Sequence, residues 1–434
     1  MIQSRRRAAA TPLLVLLLVL LLVLLLGLTA CAKEAPGYEG PYARQVRKAI
    51  PELEESSGLT FTKLPVLEER TRDEVRSFIE AQFNEQLPPL ELAGAQEAYR
   101  IFGLLPDTLD LRAFFIELLA EQVAGYYDPG TKVLYVVKDA APEMREVTIT
   151  HELMHALQDQ HTRLDSVQTL KGDNDRMVAM QSVIEGQATY EQFAMMTGGS
   201  DMGLRIPGGW DRVRDLIRAG QSSMPRFSAA PMLIQETLLF PYLSGAEFVR
   251  QFKRARPGRT PFAPFAFSTE QVLHPEKYLD SIPDVPTRVT LAPSRTGTPV
   301  HEDNLGEFET RLLLFQLAKD QGLAVAGASG WDGDRYQVVN TPAGSALGWV
   351  TVWDTPVDAV EFRDVMERAV EKRYGMKAAS GGTGDDRRWT TPRGRRVSLV
   401  MTTLGGRPVV LFEDAPGANV GRVIAPERIT LREP

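Results

Sequence analysis

The segment His151-Glu152-Leu153-Met154-His155 has residue types and a spacing that could hold a metal ion and use it to split water. Residues four apart on a helix lie on one face, so both imidazoles can reach one zinc ion. Glu152 stands beside them and can take a proton from a zinc-bound water as the water attacks a carbonyl. The apolar neighbours Ile149 and Leu157 favour a buried helix over a solvated helix with two surface histidines.

A catalytic zinc ion needs a third protein ligand and one open position. His161 follows His155 by six residues, which resembles the place of the third histidine in the metzincins, but their pattern has a glycine three residues after the second histidine, where Gln158 stands here. If the helix continues, His161 lies roughly 120° round the axis and faces away. Glu185 is the favoured third ligand, because it lies on a second predicted helix and Gly186 beside it would allow close helix packing.

A hydrolase of this kind also needs a donor for the oxyanion that forms on the attacked carbonyl. His274 is the leading candidate, and Tyr278 and Tyr242 are alternatives. A role in packing or a surface hydrogen bond competes with each of these readings. His301 follows a loop rich in Pro and Thr and is expected to be exposed.

The motif followed by a glutamate resembles that of the gluzincins, such as the thermolysin-like peptidases, in which a downstream helix supplies the third zinc ligand. The gap between His155 and Glu185 is longer than in those enzymes, so we expect a loop at 164–174. They also place an aspartate four residues after the glutamate, where it orients a zinc-bound histidine, and Thr189 stands there instead. The orienting groups are therefore expected from Thr189, Asp159 or elsewhere.

The chain as a whole resembles a group of uncharacterised bacterial lipoproteins of gluzincin type. The resemblance covers most of the chain after the leader, and it implies a zincin-like metallopeptidase architecture with no known substrate. The segments that carry it are 120–128, 151–160, 268–275 and 330–336.

The pattern of apolar residues around the motif predicts a mainly helical α+β fold. The metal helices are predicted at about 147–161 and 175–196, after a hairpin whose second strand is Val133–Val137. That strand could hold an extended substrate at a sheet edge, or it could lie in the core. Further helices are predicted at 235–254, with an interruption at Pro241, and at 305–321.

The C-terminal part, residues 331–434, reads as a separate and smaller α+β unit. Strands are expected at Arg335–Val339, Leu347–Trp353, Val397–Met401 and Pro408–Phe412, with an amphipathic helix at Val357–Tyr374. Its first residues, Trp331–Tyr336, could form a cleft wall or a turn between domains. The helical metal-binding domain is assigned to residues 51–330.

The N-terminus predicts export and a lipid anchor. Arg5, Arg6 and Arg7 precede a Leu/Val run that ends at Leu28-Thr29-Ala30-Cys31, which resembles a lipoprotein signal with its lipidated cysteine. Residues 1–30 are then the signal peptide and 31–50 a tether, and the protein faces the periplasm or the exterior from a bacterial membrane. A retained transmembrane anchor is the alternative.

The composition limits the choice of function. Hydrophobic residues make up 43% and charged residues 24% of the 434 residues, which is ordinary for a globular protein. A net charge of -7 argues against a nucleic-acid partner. The sequence therefore predicts zinc-dependent peptide hydrolysis on a peptide or protein substrate. The alternatives are a binding or scaffolding lipoprotein that keeps the fold, and a zinc amidase that acts on the cell wall.

Overall fold

The computed structural model describes residues 37–86, 88–196, 215, 217–220, 224–378, 386–417 and 420–433. About 52% of the chain is helical and 21% is in strands, so the predicted α+β class with a helical majority is confirmed. The predicted signal peptide and Cys31 lie outside the described residues. Among the residues described, no helix combines the length and the hydrophobicity that a membrane span requires.

Helices and strands are numbered here in chain order. The α-helices are α1 (Ala43–Ser57), α2 (Arg72–Gln86), α3 (Pro89–Phe102), α4 (Leu111–Gln122), α5 (Pro142–His161), α6 (Asn174–Met196), α7 (Pro225–Ala229), α8 (Met232–Ala255), α9 (Thr269–Leu273), α10 (Pro275–Leu279), α11 (Gly306–Ala318), α12 (Gln321–Ala328) and α13 (Pro356–Tyr374). The strands are β1 (Val66–Arg70), β2 (Gly125–Asp128), β3 (Val133–Val137), β4 (Arg288–Leu291), β5 (Thr298–Asp303), β6 (Trp331–Thr341), β7 (Gly344–Trp353), β8 (Asp386–Thr390), β9 (Arg395–Leu404), β10 (Arg407–Pro416) and β11 (Ile429–Arg432).

Helix α5 begins at Pro142, earlier than the predicted start near residue 147, and three other features also differ from those predicted. The tether ends earlier than residue 50, because α1 begins at Ala43 and buries Val46 and Ile50. Helix α8 runs unbroken through Pro241, so no interruption occurs there. The single helix predicted over 305–321 ends at Ala318, and α12 starts anew because the Asp320 side chain caps it.

A three-stranded sheet precedes the metal helices, with strand order β1-β3-β2. The predicted hairpin is present, since β2 pairs with β3 in antiparallel register. Strand β3 is central, with β1 parallel on its other side, and all but its first residue are buried. Val133–Val137 is therefore a core strand with no free edge, and the edge strand next to the metal helix is β2.

The C-terminal sheet has six strands in the order β5-β6-β7-β10-β9-β8 and is antiparallel throughout. Trp331–Tyr336 is the start of its strand β6, neither a turn nor a loop, and its edge strand β5 comes from before residue 331. Phe102 of α3 packs edge-on against Trp349 of β7, with 5.3 Å between ring centroids. The helices and this sheet thus share one hydrophobic core.

Helices α6 and α8 pack at unusually close range. A Cβ atom added at Gly186 would overlap the backbone of Gly245, and one at Gly245 would overlap the carbonyl of Ser182. Gly186 does allow close packing, as expected, but against α8. This contact brings α8 beside Glu185, and with it Tyr242.

Candidate metal centre

Three side chains from two helices converge on one point, and we call them the metal cluster: His151, His155 and Glu185. Helix α5 places the two imidazoles one turn apart, with 4.7 Å between ring centroids. Their Nε2 atoms lie 3.1 Å and 3.4 Å from the same oxygen of Glu185 on α6. All three donor atoms lie within 4.8 Å of one another, a set that fits the N,N,O ligands of a catalytic zinc site.

One glutamine side chain contacts the far side of each histidine ring. Oε1 of Gln158 lies 2.9 Å from Nδ1 of His155, and Oε1 of Gln192 lies 3.2 Å from Nδ1 of His151. The amide nitrogen of Gln158 donates to the Ile184 carbonyl and to Gln187, so its oxygen must face the ring. Each ring therefore turns Nδ1 towards an amide oxygen and Nε2 towards the Glu185 carboxylate at the centre.

These glutamines were not foreseen from the sequence. Thr189 and Asp159, the two predicted candidates, do not contact either ring among the described residues. Asp159 accepts hydrogen bonds from Tyr127 and Lys132, which ties the hairpin to α5. The Thr189 hydroxyl is buried without a partner in the described part of the chain. The signal for Gln158 was present, because it lies three residues after His155 and faces the same side of the helix.

Glu152 is positioned by the edge strand β2. It is 8% exposed, and its Oε2 accepts a hydrogen bond of 2.8 Å from the Tyr127 backbone amide. That bond fixes the carboxylate in direction and leaves Oε1 to accept a proton. A carboxylate whose direction is fixed by one hydrogen bond suits a general base.

Tyr242 of α8 completes the site. Its ring stacks on His151 with 6.0 Å between centroids, and its hydroxyl donates a hydrogen bond to Glu185. The negative charge of Glu185, burial and the charge of Glu152 raise the pKa of Tyr242 well above its ordinary value. The hydroxyl therefore keeps its proton and can act as a donor.

The electrostatics of the cluster favour a cation. Burial opposes a charge on His155, but the Glu185 carboxylate outweighs it and raises the pKa of His155 to about 9. Burial likewise opposes a charge on Glu185, yet His155 and His151 together lower the pKa of Glu185. Two carboxylates face this small volume, so positive charge is stabilised there.

The other predicted candidates lie elsewhere. His274 contacts Glu307 at 3.1 Å and Arg311 at 2.9 Å, and no contact joins it to the metal cluster among the described residues. The Tyr278 hydroxyl donates to the Pro264 carbonyl. His161 contacts the Thr60 carbonyl at 2.8 Å and faces away from the cluster, as the helical spacing predicted. Of the three proposed oxyanion donors, the structure brings only Tyr242 to the site.

A cavity of about 330 Å³ opens onto the metal cluster, and we call it the metal cavity. His155 and Glu185 form one wall, and Thr237 and Tyr242 of α8 form another. Tyr127 of the edge strand also borders it. A molecule that enters this cavity would meet His155, Glu185 and Tyr242 together.

A second group of carboxylates surrounds a lysine ammonium. Glu270, Asp284 and Asp354 lie close enough together to hold an ion. The Lys277 ammonium lies 2.6, 2.7 and 3.1 Å from them, respectively, and serves as their cation. This group is an internal ion-pair network.

Residues 294–423 match the model of a domain of unknown function, DUF8575, which covers all six strands of the C-terminal sheet and leaves out the metal cluster. No curated protein sequence matches the chain. One similar solved structure is a Chloroflexus aurantiacus protein with a novel fold that is described as a candidate hydrolase. It is 17% identical, the match covers 56% of this chain and 91% of that one, and the TM-score is 0.33. That score is too low to establish a shared fold.

Proposed function

We propose that this protein is a zinc-dependent peptidase of gluzincin type, in which His151, His155 and Glu185 hold the metal. The observation that carries the proposal is the convergence of both Nε2 atoms on one oxygen of Glu185. The amide oxygens of Gln158 and Gln192 that face the two Nδ1 atoms add support, because zinc-binding histidines are held in this way. The three-stranded sheet beside α5 is the neighbour expected of a zincin-like core.

Different residues of the chain carry out proton transfer and oxyanion stabilisation. A bound zinc ion would supply Lewis-acid activation of water and of a carbonyl. Oε1 of Glu152 takes the proton from the attacking water, since Oε2 is held by the Tyr127 amide. The Tyr242 hydroxyl can turn from Glu185 to donate to the oxyanion. The metal cavity leaves room for the reacting part of a substrate beside His155 and Glu185.

Two variants distinguish the role of the general base from that of the metal ligands. Glu152→Gln should keep about one zinc ion per chain and lose hydrolysis of casein or of a peptide library. Glu185→Gln should lose zinc affinity by more than about 100-fold, because a first ligand is worth more than an orienting residue. Wild-type protein without stoichiometric zinc, or a fully active Glu152→Gln variant, would contradict the proposal. Cleavage of peptidoglycan but not of peptides would identify the protein as a cell-wall amidase instead.

We also propose that the enzyme is exported and anchored to a bacterial membrane through a lipid on Cys31. The support is the basic, then apolar leader that ends at a lone cysteine after a small residue. Cys31→Ser should abolish labelling by a radioactive fatty acid and shift the protein from the membrane fraction. Unchanged labelling would remove the lipid anchor.

A further inference from the structure

A second cavity, of about 510 Å³, lies farther along helix α6, and we call it the acidic cavity. Gln181 borders both this cavity and the metal cavity. Met177 and Asn174 of the same helix line the acidic cavity as well, at a spacing that keeps them on the face of Glu185. At a rise of 1.5 Å per residue, Asn174 is about 16 Å along the helix from Glu185.

The far wall of the acidic cavity belongs to the six-stranded sheet. His301, Glu302 and Asp303 of β5 and Tyr336 of β6 line it. His301 was expected to be exposed, but it is partly buried and contacts the Tyr336 hydroxyl at 3.2 Å. Burial lowers the pKa of His301, so the ring is neutral at pH 7.

The charges on these walls do not cancel. Glu302 pairs with Arg335, and Glu91 pairs with Lys171. Asp303 accepts hydrogen bonds from the backbone amides of Asn174 and Asn304, but no Lys or Arg pairs with it among the described residues. A partly buried carboxylate beside a cavity is stabilised by a cationic ligand group.

The polar and aromatic groups suit a peptide with a long basic side chain. The Gln181 amide makes no hydrogen bond in the described part of the chain and can bind a substrate main chain between the two cavities. The partly buried Tyr99 ring borders this cavity and gives an apolar surface on which the stem of Lys or Arg can pack. An extended chain covers about 3.3 Å per residue, so about 16 Å corresponds to five residues.

We propose that the substrate is a polypeptide that runs along α6 past Gln181 and places a Lys or Arg side chain in the acidic cavity against Asp303. The basic residue then lies about four to five residues from the scissile bond. The six-stranded sheet is thereby the part of the protein that selects the substrate. This inference rests on the proposed peptidase function.

The experiment measures binding without turnover, in the zinc-loaded Glu152→Gln protein. Fluorescent Ala/Ser decapeptides carry a hydroxamate at one end, which fixes that end at the metal, and a single Lys two to seven residues away. Carboxamide versions lack the metal anchor. Binding is followed by fluorescence anisotropy, with hydroxamates at either terminus.

We expect Lys at about the fourth or fifth residue to tighten hydroxamate binding about tenfold over Glu at that place. Asp303→Asn should remove most of this preference, because Asn keeps the acceptor for both backbone amides and loses only the charge. Glu361→Gln, the same charge change on an exposed face of α13, should leave it unchanged.

The outcomes separate the two proposals. Hydroxamates that bind tightly with no dependence on the Lys position would overturn the acidic cavity and leave the metal site standing. In another outcome, the carboxamide peptides bind with the same dependence on Lys and Asp303, and the hydroxamate does not tighten binding. That result would support the acidic cavity and would contradict the zinc peptidase. A Lys preference that survives Asp303→Asn would also overturn the inference.

Discussion

The side-chain oxygen of Gln158 lies 2.9 Å from Nδ1 of His155, and the amide nitrogen of the same Gln158 is held by the backbone of α6. One fully buried glutamine thus orients a metal-binding ring and connects the two metal helices. In zinc proteins a group in this position fixes the tautomer and the direction of the ligand.

Gln158→Ala should therefore lower zinc affinity about 10- to 100-fold, the usual effect of losing such a partner. The Nδ1 proton of His155 would lose its acceptor, and the ring could turn. Competition with a fluorescent zinc chelator measures the change. Gln160→Ala is the control, because Gln160 lies on the same helix but bonds to residues 62–63. Equal zinc affinity in both variants would show that Gln158 has no orienting role.

Tyr242→Phe should keep zinc and lower kcat about 100- to 1000-fold, the range seen when one oxyanion donor is removed. The ring that stacks on His151 is retained, so the loss reports the hydroxyl alone. Steady-state kinetics on a cleaved peptide, with zinc content measured in parallel, provide the test. His274→Gln is the matched control and should stay close to wild type, because His274 contacts Glu307 and Arg311. A larger loss of kcat in His274→Gln than in Tyr242→Phe would indicate that His274 is the oxyanion donor.

Gly186→Ala should destabilise the fold by more than about 2 kcal/mol, because its Cβ would overlap the backbone of Gly245 and neither helix can move away cheaply. Urea unfolding measures the free energy of unfolding. Gly322→Ala in α12 is the contrasting change, since its Cβ would meet only Asp320 at an ordinary 3.5 Å. That variant should be neutral or stabilised by about 0.5–1 kcal/mol. Equal stability of the two variants would contradict the close helix contact.

Asp175 gives a prediction on pH. Burial raises the pKa of Asp175 to about 8, although hydrogen bonds from Thr269 oppose the shift. The folded state then holds this proton more tightly than the unfolded state. Stability from this group is complete below about pH 4, and it falls as pH rises towards 8.

Asp175→Asn should flatten that fall, because Asn keeps an acceptor for Thr269 and has no proton to lose. Between pH 5 and 8, the free energy of unfolding should drop by at least about 1 kcal/mol less in the variant than in the wild type. Glu361→Gln, which changes an exposed carboxylate, should leave the wild-type slope intact. A variant as pH-dependent as the wild type would show that Asp175 is already ionised in the fold.

The sequence by itself determined what depends on neighbours along the chain. The four-residue spacing of His151 and His155 sets both rings on one face of α5, and the same helical geometry turns His161 away. The change from alternating to helical apolar spacing located the hairpin and the two metal helices, because each period follows from local backbone geometry.

Only the tertiary structure decided which distant groups meet these residues. Tyr242 and His274 were both plausible donors in the sequence, and the close contact of Gly186 with Gly245 selected Tyr242 by bringing α8 to the site. Strand pairing made β2 the edge and β3 the centre. Strand order and helix packing depend on contacts between residues far apart in the chain, and no local pattern records them.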